Sequence, residues 1–235
     1  MVKTLQFSRF ALLVCSMVAG GFGSPLGKTG SEPRPRVPAN SEAGSERAAT
    51  PSADGVARYR IDAGQSRFMV HAFAGGLLSA LAHNHNIAVR EFSGEAQFTY
   101  GSFEPASLHL TVKAGSLAVT DKISEKDRND IERTMRDEVL ETGKYPEIVF
   151  RSTGVSATKL AEGKYRAKIS GNLSLHGETR SVEFNAEIDL SANSLRAKGD
   201  IPLKQTSFNI KAVSVAGGTI KVKDEVKLSF DIVAH

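Results

Sequence analysis

The patterning of this chain predicts an all-β fold: an antiparallel up-and-down β-barrel of about eight strands with one α-helix across it. Three observations carry that expectation. In the stretch from Ile169 to Leu190, the residues Ile169, Gly171, Leu173 and Leu175 alternate with Ser170, Asn172, Ser174 and His176. After a short polar connection, Val182, Phe184, Ala186, Ile188 and Leu190 alternate with Glu183, Asn185, Glu187 and Asp189. Such period-2 patterning reads as two long antiparallel strands with one apolar and one solvated face. The run from Ile220 to Val233 alternates in the same way, against lysines and acids, which again marks an antiparallel sheet rather than a parallel one. A single segment, Asp127 to Leu140, instead places Ile131, Met135 and Val139 at helical spacing on an otherwise charged background.

Taken in order, the chain begins with Lys3 and Arg9, the apolar run Phe10–Ala19 and the small residues Gly20, Gly21 and Gly23. This is the pattern of a cleaved signal peptide over residues 1–21, with cleavage after Ala19 or Gly21. The run is too short for a bilayer, which needs about 20 apolar residues. Cys15 is the chain's one cysteine and would leave with the signal, so the mature protein is expected to have neither disulfides nor a thiolate metal site. A lipid anchor on Cys15 is the weaker reading, because Val14 sits where such signals want a small residue. Residues 22–57 hold Pro25, Pro33, Pro35, Pro38 and Pro51 among Ser, Gly and Ala, with few large apolar side chains. That composition reads as a disordered Pro/Ser/Gly-rich linker.

The folded domain is expected over residues 58–235, with strands at Tyr59–Ile61, Arg67–Phe73, Asn86–Val89, Glu91–Tyr100, Ser107–Ala114 and Ile148–Val155. The opening pair, Leu195–Leu203, Phe208–Ala212 and the last long run follow. The helix is expected to stop at Thr142-Gly143, with Pro146 preventing its return. This many long strands in succession imply a sandwich or a closed barrel, and a barrel of about eight strands is just wide enough for one slender ligand. Strands of ten or so residues at roughly 3.3 Å each give a lumen about 25–30 Å deep once tilted.

The net charge of the whole chain is +4, but from Arg58 onward 24 Lys and Arg face 22 Asp and Glu. That near balance, without aromatics interleaved with arginines in the manner of single-strand binders, gives no support for a nucleic-acid partner, and none is expected. No later segment is apolar for long enough to insert stably in a membrane.

Five elements then become specific: Tyr59-x-Ile-Asp-x-x-x-Ser66, Glu91-Phe-Ser-Gly94, Lys144-Tyr-Pro-Glu-Ile-Val-Phe-Arg-Ser-Thr153, Gly171-Asn-Leu-Ser-Leu-His-Gly-Glu-Thr-Arg180 and Val222-Lys-Asp-Glu-Val226. Their order and spacing resemble the YceI-like family of exported lipid- and polyisoprenoid-binding proteins, over about residues 58–234. The resemblance implies a lipocalin-like barrel holding an isoprenoid or other long-chain lipid, in a periplasmic or secreted protein. Two stretches depart from the family pattern: Phe73 to His85, and the Glu/Arg-dense helix. True lipocalins carry a Trp near their first strand, and this chain has none.

The expected function is that of an exported, non-catalytic carrier without a cofactor. Its candidate ligand-binding wall residues are Phe92, Phe98, Leu110, Val112, Phe150, Leu173, Leu175, Phe184, Ile188, Leu228 and Phe230. A packed core would need the same apolar residues; the small residues Gly94, Ala96, Gly171 and Ala186 on the same parity favour a cavity. Competing readings attach to the histidines. His83 and His85, with His71 or an aspartate, would suit a metal site or a lipid-modifying enzyme, but no third ligand is fixed, and a polar turn or rim, or contact with an anionic head group, is preferred. His176 as a general base would need a partner, for which Glu178 is the close candidate; a His-Gly turn explains the pair more simply. The 121–141 segment, with pairs such as Glu132–Arg136, reads as a solvated helix face, and as a partner-docking surface in the reading that makes the protein an envelope module with a filled barrel. An edge strand left by imperfect closure would support a homodimer.

Overall fold

The computed structural model describes residues 55–77, 83–99, 103–191, 193–215, 217 and 219–235. The expected signal peptide and nearly all of the linker lie outside the described residues. The strands run β1 (Val56–Arg60), β2 (Arg67–Gly75), β3 (His85–Val89), β4 (Phe92–Thr99), β5 (Ala106–Lys113), β6 (Leu117–Val119), β7 (Glu147–Ala161), β8 (Lys164–Leu175), β9 (Glu178–Leu190), β10 (Leu195–Lys204), β11 (Ser214–Val215) and β12 (Ile220–Ala234). One helix, α1 (Glu125–Thr134), follows β6.

All strand pairs are antiparallel, in the spatial order β1-β4-β5-β7-β8-β9-β10-β12-β2-β3-β6, with β11 on β12. The sheet curls until its first strand meets β12. Ile61, just past β1, bridges Ala234 of β12, while Arg60 and His235 exchange backbone hydrogen bonds of 2.7 and 2.9 Å. The eight strands from β1 to β12 along this order therefore form the ring, and β2, β3 and β6 extend the sheet beyond it. Among the described residues the strands number twelve rather than about eight. β2 and β3 fall where strands were expected, and the strands with no expected counterpart are β6 and β11, of three and two residues, too short for alternation to show.

Three of the five elements that carried the family resemblance are structural joints. Asp62 Oδ1 accepts hydrogen bonds from the backbone N–H groups of Gly64 (2.8 Å) and Gln65 (3.1 Å), forming the bend between β1 and β2. Ser66 ties that bend to β12, its Oγ donating to the Val233 carbonyl and accepting from the Val233 N–H. His176 and Gly177, at φ +52° and +77°, join β8 to β9 as a two-residue turn. Positive φ at both positions matches the right-handed twist of the flanking strands, and the glycine meets that demand without strain. Space demands it too: a Cβ on Gly177 would stand 2.6 Å from the Tyr145 ring. Asp224 accepts from the Thr206 N–H and hydroxyl, both at 2.8 Å, next to a register shift between Val222 and Val226.

The expected strand at Phe208–Ala212 is not formed. A 3₁₀ turn occupies Gln205–Phe208, and Asn209 at φ +56° reverses the backbone after it. Phe208 and Ile210 are buried as strand alternation would bury them, but a turn delivers them to the core. The helix also departs from expectation. Ser124 caps its start by accepting from the Asp127 N–H at 3.1 Å. Its last turn widens into a π turn over Met135–Val139 and stops where Glu141 takes φ +44°, ahead of Gly143. Glu132 pairs with Arg136 at 3.5 Å and also accepts the Val119 N–H at 2.9 Å, so the helix covers part of the exposed edge of β6.

Gly171 does not open lumen space. A Cβ there would lie 2.4 Å from Phe150 Cζ, because the Phe150 ring lies flat over the strand at that point. Gly94 is likewise occupied, by Ile61 and the His109 carbonyl. These glycines let aromatic and aliphatic neighbours settle against the sheet.

Candidate functional site

The barrel interior is built from the inward parity of its strands and is closed unevenly. At the end away from the helix, Phe103 reaches in from the β4–β5 connection, stacked on Phe98 (centroids 4.8 Å apart) and tilted on Tyr165 (4.7 Å). Tyr59 stacks on the other side of Phe98 at 5.4 Å. Along the wall, Phe150, Phe184, Phe230 and Phe68 follow one another at 5.6, 5.7 and 6.4 Å. Such edge and offset contacts favour a rigid wall over a mobile one. Toward the helix, Ile131, Met135 and Val139 project from α1 and its π turn onto the interior. Between these boundaries lies an apolar cavity of about 400 Å³.

Ten of the residues expected at the wall line this cavity: Phe98, Leu110, Val112, Phe150, Leu173, Leu175, Phe184, Ile188, Leu228 and Phe230. Phe92 does not. It packs edge-on against Phe68 at 4.8 Å, and Phe68 takes the place at the wall. Ala96 and Ala186 do line the cavity, whereas Gly94 and Gly171 are covered by their neighbours. Sequence reasoning missed the contributors that come from outside the long strands. Ile87 and Val89 on β3, the three helical residues, Phe103 and Ile210 all reach the wall. The spacing of Ile131, Met135 and Val139 was the one usable signal among them.

Few polar groups border the cavity, and His85 is the most constrained. It shares the inward face of β3 with Ile87 and Val89. Its Nδ1 lies 2.8 Å from Asp121 Oδ2, while Asp121 Oδ1 accepts from the Asn86 N–H (3.1 Å) and side-chain amide (3.0 Å). Burial pushes the Asp121 carboxyl up, but the hydrogen bonds from His85 and Asn86 outweigh it and hold the group below the usual carboxylate range. The other histidines go elsewhere. His71 bonds Asn86 and Ser229 at 2.9 Å each, and His83 is exposed ahead of β3. Among the described residues, no three His, Cys, Asp or Glu side chains gather as metal ligands. His176 meets Glu141, not Glu178: its Nε2 lies 2.8 Å from Glu141 Oε2 and its Nδ1 3.1 Å from the Phe208 carbonyl. With the Tyr145 ring 4.7 Å away, this histidine links the β8–β9 turn to the end of the helix.

No helix among the described residues is long and apolar enough to cross a membrane. Of solved structures, Burkholderia cenocepacia BcnA shares the fold at TM-score 0.57 and 19% identity, covering 74% of this chain and 99% of its own. A polyisoprenoid binding domain from Saccharophagus degradans, implicated in plant cell wall breakdown, does so at TM-score 0.53 and 14% identity, covering 75% and 97%. A UPF0312 protein of Pseudomonas putida (strain W619) is 31% identical over 133 residues, 56% of this chain and 62% of its own length. One of Shewanella baltica (strain OS155) is 29% identical over 137 residues, 58% of this chain and 64% of its own. The chain thus spans less than two thirds of these relatives. The YceI-like domain family matches residues 59–234, from the first bend to the end of β12. Fold, joints and sequence agree, and the chain belongs to the YceI-like domain family.

Proposed function

We propose that this protein is an exported, non-catalytic carrier that holds a long-chain apolar ligand, a polyisoprenoid or another lipid, in its barrel. The observation that carries the reading is the cavity: about 400 Å³ with almost wholly apolar walls. Ligand pockets run from about 300 to 1,000 Å³ and are mostly apolar. Each CH₂ group moved from water into such a space contributes about 0.8 kcal/mol, so affinity would grow with chain length until the lumen is full. The polyisoprenoid binding domain that shares this fold supports the ligand class, and the basic, apolar and small-residue order of the first 21 residues supports export.

The test is a titration of the purified domain with prenyl chains of increasing length, followed by competition against a fluorescent fatty acid. One buried CH₂ is worth about fourfold, so affinity should rise by at least about tenfold per added five-carbon isoprene unit and then level off. Equal, weak binding at every length would reject the carrier. Export is tested by sequencing the mature N-terminus from the cell envelope fraction; Gly20 or Phe22 is the expected first residue.

A further inference from the structure

We infer that His85 is the head-group residue of the cavity, and that it selects a chain ending in a neutral hydroxyl, a long-chain alcohol, over one ending in an anion. The inference rests on the carrier reading and adds the chemistry at the polar end of the ligand.

The strand places the residue. His85, Ile87 and Val89 fall on one face of β3 and all border the cavity, so the imidazole is the polar end of an apolar stripe. Asp121 then decides which nitrogen carries the proton. Its carboxylate already takes two hydrogen bonds from Asn86 and is held in its ionised form by them and by His85. An ionised carboxylate only accepts, so the 2.8 Å contact requires the proton on His85 Nδ1. In the neutral form of the ring, that leaves Nε2 as the lone-pair nitrogen. It is accessible rather than buried, and among the described residues nothing bonds to it.

A free acceptor beside an apolar cavity matches a donor on the ligand. A hydroxyl satisfies it with one O–H···N bond, and an ether of the same length does not. An anionic head would bring a second negative charge toward the Asp121 carboxylate, whose side chain is 14% exposed and so weakly screened. Arg128 offers no relief: its guanidinium donates to the Asp121 carbonyl at 2.9 Å and is not part of the cavity wall. Lys204 on β10 does border the cavity and is the competing site for an anion.

The experiment compares geranylgeraniol, its methyl ether and geranylgeranyl phosphate on the wild-type domain and on His85→Leu at pH 8. The wild type should bind the alcohol about tenfold more tightly than the ether, the value of one well-made hydrogen bond. The phosphate should bind more weakly than the alcohol. In His85→Leu the alcohol and ether should converge to the same affinity. An alcohol preference that survives in the variant, or a phosphate that outcompetes the alcohol, overturns the assignment. Failure of all three chains, ether included, would reject the carrier itself. Should the variant not fold, long-range ¹H–¹⁵N spectra of the wild type decide. The Nδ1–H tautomer with an Nε2 resonance that moves on adding the alcohol is expected, and an Nε2–H tautomer contradicts the inference.

Discussion

At single positions, the local geometry sets clear demands. Gly171 has no room for a side chain: a Cβ there would stand 2.4 Å from the Phe150 ring and 2.5 Å from the Arg151 carbonyl. Gly171→Val should therefore destabilise the domain by about 1–3 kcal/mol through forced displacement of a buried ring, read as a lower urea midpoint at unchanged slope. Asp121 makes a different demand. Its folded-state carboxyl titrates below the unfolded one, so its contribution is present above the unfolded value near 4 and lost as pH falls through the lower folded value. Asp121→Asn should be less stable than wild type at pH 7, with the gap closing toward pH 3 in chemical denaturation; a gap that widens on acidification would contradict the assignment. Neither demand could be read from sequence. The pairing of His85 with a residue 36 positions away, and the ring that covers Gly171, exist only once strands are in register.

Secondary-structure elements were legible to the extent that alternation ran long enough. β7 to β10 and β12 are each ten residues or longer and form on their alternating stretches, but β7 runs six residues past the expected Ile148–Val155 and β8 begins five residues before Ile169. Phe208–Ala212 shows the limit of that signal. Phe208 and Ile210 are both buried, so they have strand spacing, yet the left-handed Asn209 between them makes the segment a turn. The helix end was misjudged for a related reason, since Glu141 rather than a glycine adopts the left-handed conformation. What holds it there is His176, 2.8 Å from the Glu141 carboxylate and nearly buried at 9% exposure. This contact joins two elements 35 residues apart. His176→Ala should cost about 1–3 kcal/mol by stranding the carbonyl of buried Phe208 and emptying a nearly buried site, and hydrogen exchange should quicken first in the β8–β9 turn and the end of the helix. Uniform loss of protection across the sheet would show that no such local link exists.

Across the whole molecule, the barrel is a ring joined at one end by Ile61–Ala234 and Arg60–His235, plugged by Phe103 and its aromatic neighbours, and covered by the helix. The cavity wall was largely legible, because inward parity on long strands is visible in sequence. Whether that parity enclosed space or filled it was not, since both need the same residues. Ala186, 2% exposed in the middle of β9, offers a way to close the space. Ala186→Phe should weaken chain binding at least tenfold while leaving the far-ultraviolet circular dichroism of the sheet unchanged. Undiminished binding would place the ligand outside the barrel. The decisive measurement is native mass spectrometry of the protein purified from its own cells without detergent, followed by organic extraction. A bound, extractable long-chain apolar molecule, absent from Ala186→Phe prepared in parallel, is the expected result. Protein at its bare polypeptide mass, which also fails to take up added prenyl chains, would contradict the carrier.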